Sequence, residues 1–207
     1  MKRKELLRKI SLMFFLALVA TTFTFSFVAC NQNPADKQNE TSIQTATLDS
    51  ISEQEVLAAQ AAWGEGIVKI GKVYLENGDF KTAALNHINE FYGYDQGTVL
   101  FKPTLTSQKQ FRTDLQGALS YFVSGDENYP EDHGFAIKPW SNVRWESVGV
   151  KIIGNMAIAM GNYYFTPAKG GDEVKVEYSF AYSKDANGKL KILLHDSHLP
   201  YKPEEKH

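Results

Sequence analysis

The 207-residue chain carries 24 acidic and 22 basic side chains, a net charge of −2, and a single cysteine, Cys30. Proteins that bind nucleic acid present a strongly basic face, and this charge balance argues against that function. One cysteine cannot form a disulfide within the chain, so the folded part must depend on its hydrophobic core.

The first 29 residues have the pattern of an export signal. Five basic residues and one glutamate precede an uncharged apolar run, ISLMFFLALVATTFTFSFVA, which ends at Cys30. The residues FVA before Cys30 resemble a bacterial lipobox. This pattern predicts residues 1–29 as a lipoprotein signal peptide and Cys30 as the acylated first residue of the mature chain. The alternative is an uncleaved transmembrane helix, since about 20 apolar residues can span a bilayer.

The predicted location is the bacterial cell envelope, with lipid on Cys30 holding the protein to the periplasmic or surface side of a membrane. Asn31 stands where an aspartate is associated with retention in the inner membrane, and this favours the outer membrane. Residues 30–50 are polar and are predicted to form a flexible tether. The signal segment carries +4 of the total −2, so the mature chain carries about −6, which again disfavours nucleic acid.

Residues 51–207 are predicted to form one domain, and its first part has helical periodicity. Ser52 and Glu55 have the spacing of a capping box, and the helix that follows places on one face Val56, Trp63, Ile67, Ile70 and Tyr74. A second, short helix is predicted from Asp79, with an apolar face formed by Phe80, Ala84, Ile88 and Phe91. After a short strand, TVLFK, a third helix capped by Thr106 or Ser107 is predicted to bury Phe111, Leu115, Ala118 and Phe122.

From residue 140 the period changes to two, which is typical of strands. The clearest example is VKVEYSFAY, and Gly154-Asn155 predicts a hairpin between two further strands. Helices followed by about four long antiparallel strands indicate an α+β fold, with three helices packed on a curled sheet. Such a cone has an open end, where a small-molecule site would lie. Small residues on one face of MAIAMGNYYF also indicate space inside.

The last strand, LKILLHDSH, ends in four groups that can hold or move protons. Alternation places His195 and Ser197 on one face, and Asp196 and His198 on the other. A zinc site needs three protein ligands, and His133 with Asp132 are the only obvious additions, without ligand spacing. No metal site is therefore predicted, although a divalent metal is not excluded. Nucleophilic catalysis by Ser197 with His195 lacks the G-x-S-x-G elbow.

The stretch from about Trp63 to Tyr201 resembles the nuclear transport factor 2-like superfamily, a cone-shaped α+β barrel shared by polyketide-cyclase-like proteins and the calcium/calmodulin-dependent kinase association domain. Within it, the chain resembles the iota-class carbonic anhydrases. The matching pieces keep their order: FKPT (101–104), FR (111–112), ALSYF (118–122), GFAIKPW (134–140), VR (143–144), AMGNYYF (159–165), VEYSFAY (176–182) and LHDSHLPY (194–201).

The resemblance implies reversible hydration of carbon dioxide to bicarbonate in a hydroxyl-lined pocket without a metal or other cofactor. Carried over by position, the catalytic residues would be Thr104, Tyr121, His195 and Ser197, with His195 as the proton shuttle. An apolar lining for carbon dioxide would come from Phe101, Trp140 and Tyr164. The resemblance also suggests a homodimer through the outer sheet face.

This chain has HDSH where the family is expected to have HHSS. The catalytic prediction therefore requires His195 and Ser197 to face inward, whereas the aliphatic alternation of Leu190, Ile192 and Leu194 would bury Asp196 and His198. A non-catalytic lipoprotein that binds a small ligand or partner is the alternative function. A cyclase or isomerase on the same fold would need a carboxylate in the pocket, for which Asp196 is the candidate.

Overall fold

The structure, a computed structural model, describes residues 50–203, and three helices occupy much of the first half of this range. Helix α1 is Glu53–Leu75, α2 is Phe80–Phe91 and α3 is Leu115–Val123. The predicted signal peptide and nearly all of the predicted tether fall in residues 1–49, outside the described residues, as do residues 204–207. Within 50–203, every helix is too short or too polar to span a bilayer.

Both ends of the capping box predicted for α1 are present. The Ser52 hydroxyl accepts from the Glu55 backbone N–H, and the Glu55 carboxylate accepts from the Ser52 backbone N–H at 2.7 Å. The predicted cap of α3 is wrong. Asp114 caps that helix by accepting from the Gly117 N–H at 2.8 Å, and Phe111 is 65% exposed.

The loop before α3 explains this difference. The backbone N–H groups of Ser107, Gln108 and Lys109 all donate to the Glu131 carboxylate. Those donors are what a helix N-terminus offers to its cap, but here a carboxylate from a distant loop takes them. The chain therefore stays irregular until Asp114.

Five strands form one mixed sheet: β1 is Leu100–Lys102, β2 is Trp140–Ile153, β3 is Met156–Pro167, β4 is Val174–Lys184 and β5 is Leu190–His198. The spatial order is β1-β5-β4-β3-β2. The four long strands are antiparallel neighbours, and β1 pairs with β5 in parallel. Three helices on one mixed sheet confirm the predicted α+β class. β2 ends at Ile153 and the antiparallel β3 begins at Met156, which confirms the predicted hairpin at Gly154-Asn155.

Aromatic side chains fill the space between the helices and the sheet. Trp63 of α1 lies at its centre, with ring centroids 6.0 Å from Tyr163 of β3 and 6.5 Å from Phe180 of β4. Edge-to-face contacts of this kind add to the free energy of burying the rings. The interior is thus packed mainly with rings, and polar groups reach it only at particular strand positions.

One such position depends on a β-bulge in β5. Tyr182 pairs with Ile192 and Ala181 pairs with Leu194, so Leu193 has no partner in the register. A bulge inserts one residue and reverses the side-chain alternation beyond it. As a result both Ile192 and His195 are buried, three positions apart.

Candidate functional site

His195 lies on the inner face of β5 with only 2% of its surface exposed. Its ring is stacked between Phe101, with centroids 4.8 Å apart, and Phe180, 4.2 Å apart. Burial lowers the pKa of His195 to about 3, because an imidazolium is disfavoured where water is excluded. The imidazole is therefore neutral at physiological pH.

Two tyrosines hold the two ring nitrogens of His195. The Tyr92 hydroxyl lies 2.9 Å from Nδ1 and the Tyr163 hydroxyl lies 3.3 Å from Nε2. Trp63 Nε1, which can only donate, donates to the Tyr92 oxygen at 3.1 Å. With its oxygen already accepting from Trp63, Tyr92 has its own proton available for Nδ1, which favours the tautomer whose Nε2–H donates to Tyr163. The hydrogen-bond network therefore favours the neutral Nε2–H tautomer of His195.

A cluster of hydroxyls lies next to this imidazole. Thr104, which follows β1, and Ser197 of β5 have their oxygens 2.9 Å apart. Burial raises the pKa of the Tyr163 phenol, and hydrogen bonding with Ser197 and Thr104 partly opposes this. Tyr163 thus connects His195 to the two aliphatic hydroxyls.

Tyr121 of α3 is the fourth hydroxyl of the cluster. Its pKa is raised by burial, while hydrogen bonding with the Leu105 backbone and the Thr104 hydroxyl opposes the shift. Both phenols therefore keep their protons at neutral pH and can donate. A hydroxyl both donates and accepts, so this cluster can orient water and stabilise negative charge on an oxygen.

The structure places Thr104, Tyr121, His195 and Ser197 close together, with Ser197 buried like His195. Asp196 and His198 face outward, where His198 lies 3.2 Å from Glu177. The departure from the expected HHSS pattern therefore lies outside the interior. The expectation that aliphatic alternation would bury this pair fails because of the bulge at Leu193.

Of the three residues predicted to line an apolar pocket, two lie inside. Phe101 stacks on His195, and Trp140 is buried against Phe135, whose carbonyl accepts its indole N–H. Tyr164 is wrong. Its hydroxyl donates to Glu146 on the outer face, and Arg144 lies over its ring.

Its neighbour Tyr163 is the residue that faces inward. Ala157 and Ala159 are buried on the inner face of β3, and the same alternation reaches position 163, so strand parity could have identified Tyr163. Tyr92 and Trp63 were missed because their hydrogen bonds join segments far apart in sequence, which no local pattern reports. The space expected near Gly161 is filled, since a Cβ there would lie 2.9 Å from the Tyr178 hydroxyl.

Within residues 50–203 there is no group of three or more His, Cys, Asp or Glu side chains placed to hold a metal ion. Of the candidate pair His133 and Asp132, the aspartate is already bonded to other side chains. Asp132 is buried and accepts from Arg112 and from the Ser120 hydroxyl, both at 2.7 Å. Its carboxylate is thus committed to a buried ion pair.

An α+β domain with hydroxyls and one neutral imidazole on the inner face of its sheet defines a small, polar site. The family model described as metal-independent carbonic anhydrase matches residues 54–199. A metal-independent carbonic anhydrase of Nostoc sp. (strain PCC 7120 / SAG 25.82 / UTEX 2576) is 46% identical over 155 residues, 73% of this chain and 75% of the relative. The chain belongs to the metal-independent carbonic anhydrase family.

Solved structures are similar as well. A cyanobacterial iota-carbonic anhydrase complexed with bicarbonate has a TM-score of 0.72 and 44% identity, covering 75% of this chain and 96% of that chain. A nuclear transport factor 2-like superfamily protein from Salmonella enterica serovar Typhimurium has a TM-score of 0.45 and 13% identity, over 77% of this chain and 96% of that chain.

Proposed function

We propose that this protein catalyses the reversible hydration of carbon dioxide to bicarbonate, without a metal, at the hydroxyl cluster beside His195. The observation that carries the proposal is the convergence of Thr104, Tyr121, Tyr163 and Ser197 on the inner face of β5, in a chain of this family. The relative of solved structure is complexed with bicarbonate, the product this reaction would release.

The difficult part of the reaction is removing a proton from water. Free water has a pKa of about 15.7, which a zinc ion would lower to about 7. Without that help, the proton must leave as the C–O bond forms. The Thr104 and Ser197 hydroxyls can position the water, and the phenols of Tyr121 and Tyr163 can donate to the carbonate oxygen that gains charge.

His195 acts here as a positioning residue rather than as the predicted shuttle. With its pKa lowered to about 3, it does not take up a proton at neutral pH. Its Nε2–H instead donates to Tyr163, which leaves the Tyr163 proton free to point at the hydroxyl cluster. The rings around it, Phe101 and Phe180, provide apolar surface suited to carbon dioxide.

The test is a stopped-flow hydration assay of the chelator-treated protein. Thr104→Ala and Ser197→Ala should each lower the rate by about 100-fold, as removal of one preorganised donor does. Tyr164→Phe, on the outer face, is the matched control and should keep full activity. Unchanged rates in both alanine variants would remove the proposed site, and loss on chelation alone would show that a metal is required.

The alternative is a lipoprotein that binds a small ligand without turnover. It would be favoured if the wild-type protein bound bicarbonate but did not accelerate hydration. A cyclase or isomerase that uses Asp196 is disfavoured, because Asp196 lies on the outer face with His198. The substituted residues of the HDSH segment thus do not disturb the proposed pocket.

We also propose a homodimer through the outer sheet face. Several large apolar side chains are exposed there, including Val148 at 77% and Met160 at 54%. Exposed apolar patches of this kind mark association sites. Sedimentation should give the mass of two chains, and Met160→Glu should give one. A wild-type monomer would contradict the proposal.

Anchoring through lipid on Cys30, at the periplasmic or surface side of the envelope, is a further proposal supported by the apolar run that ends at this residue. The predicted partners are thus carbon dioxide, bicarbonate and the membrane, with no nucleic acid. Labelled fatty acid should be incorporated into the wild type and not into Cys30→Ser. Labelling of the variant, or none in the wild type, would exclude this anchor.

A further inference from the structure

We propose that His133 accepts the proton released by carbon dioxide hydration and passes it to solvent, through a small cavity next to Tyr121. The inference rests on the proposed function, because it identifies the exit for the proton that this function produces. It adds a residue from the loop before β2, outside the cluster on β5.

The reaction requires such an exit. When the water oxygen bonds to carbon, one C=O electron pair moves to oxygen, bicarbonate forms and one proton must leave. The buried groups beside the reacting water do not retain it. His195 is neutral with its pKa lowered to about 3, and Tyr121 and Tyr163 already carry their protons, with their pKa values raised by burial.

A path leads from the hydroxyl cluster to the surface. The Ser197 and Thr104 hydroxyl oxygens are 2.9 Å apart, and the Thr104 side chain lies close enough to Tyr121 to lower the pKa of its phenol. Tyr121 in turn lines a cavity of about 30 Å³, together with His133, and a cavity of this size has room for a water molecule. Each hydroxyl can accept a proton while donating its own, so the proton can reach the cavity without a phenolate forming.

The charged groups that face the cavity leave His133 as the acceptor. Glu131, Asp132 and Lys138 also line it. Backbone N–H groups, first that of Gln108, lower the pKa of Glu131 to about 2, and Asp132 is held by Arg112 and Ser120. Lys138 is exposed, and its side chain is a hydrogen-bond donor without an acceptor site.

His133 has the properties that proton transfer to solvent needs. It is exposed, and a neutral imidazole has one ring nitrogen that accepts a proton and another that donates one. Within residues 50–203, the ring of His133 has no side-chain hydrogen bond or ion pair, so its nitrogens are available to water in the cavity.

The experiment compares the full-length wild type with His133→Gln in stopped-flow hydration at low buffer concentration. The kcat of His133→Gln should fall by about 10-fold or more, with kcat/KM unchanged, because substrate conversion precedes proton export. Added imidazole should restore kcat in the variant and change the wild type little.

His198→Gln is the matched control, since His198 is an exposed histidine on the outer sheet face, and it should behave as wild type. A His133→Gln variant with unchanged kcat, or with kcat and kcat/KM reduced together and no rescue by imidazole, would overturn the inference. If Thr104→Ala is inactive while His133→Gln is unaffected, only this inference fails. A wild type that does not hydrate carbon dioxide overturns the inference and the proposed function together.

Discussion

The state of His195 is decided by its neighbours, not by the intrinsic chemistry of histidine. From the sequence, an imidazole beside a serine indicates a group that exchanges protons near neutral pH. In the fold it is enclosed by Phe101 and Phe180 and bonded by two phenols. Burial favours the neutral imidazole, which suits the proposed positioning role better than proton transfer.

Tyr92→Phe tests this assignment at the level of one hydroxyl. The change leaves His195 Nδ1 and Trp63 Nε1 buried without their partner, which should lower the free energy of unfolding by about 1–3 kcal/mol. Imidazole nitrogen chemical shifts should show the Nε2–H tautomer in the wild type and a mixture in the variant. A wild-type Nδ1–H tautomer would contradict the network.

Residue alternation predicted part of the site and misplaced another part for identifiable reasons. The inward position of His195 and Ser197 could be proposed from the resemblance, but the aliphatic pattern opposed it because the bulge at Leu193 leaves no mark in the sequence. Strand alternation could have identified Tyr163 as the inward-facing residue, but the prediction named Tyr164. The hydrogen bonds of Tyr92 and Trp63 could be identified only from the tertiary structure, because they join segments far apart in sequence.

At the scale of elements, α1 and α2 approach closely because α1 has glycine at position 66. A Cβ at Gly66 would lie 2.2 Å from His87 Nδ1, a distance at which one side chain must move. His87 is wedged there, with ring centroids 5.7 Å from Trp63 and 4.9 Å from Phe91. Glycine costs helix stability, so its presence in α1 reflects this packing.

Gly66→Ala should therefore destabilise the protein by about 1–3 kcal/mol, as overpacking does, despite the better helix propensity of alanine. Combining it with His87→Ala removes the obstructing ring, so the double variant should be more stable than the sum of the single changes predicts. Chemical denaturation of the four proteins measures the coupling. Additive changes would show that the two positions do not meet.

The fold class and the helix faces followed from periodicity, because burying one face of an amphipathic element is a local requirement. The boundaries of the elements were harder to predict from the sequence than the fold class. The start of α3 moved from Thr106 or Ser107 to Asp114 because Glu131, more than 20 residues away, takes the backbone donors of the earlier segment. Such long-range caps depend on the assembled structure.

For the whole molecule, two buried neutral histidines make stability depend on pH. Burial lowers the pKa of both His87 and His195 to about 3, against about 6.5 in the unfolded chain. Between these values the unfolded chain binds protons that the folded chain does not, so stability falls as pH decreases from about 6.5 toward 3. Each histidine contributes a slope of up to about 1.4 kcal/mol per pH unit.

His87→Leu isolates one of the two contributions. The ring nitrogens of His87 have no hydrogen-bond partner in the described structure, so an apolar replacement should keep or raise stability at neutral pH. Between about pH 6.5 and 5, above the range where carboxylates protonate, the slope of unfolding free energy against pH should fall from about two protons to about one. Urea titrations across this range measure the slope, with exposed His133→Gln expected to match the wild type. An unchanged slope in His87→Leu would mean that His87 is charged, or solvated, in the folded protein.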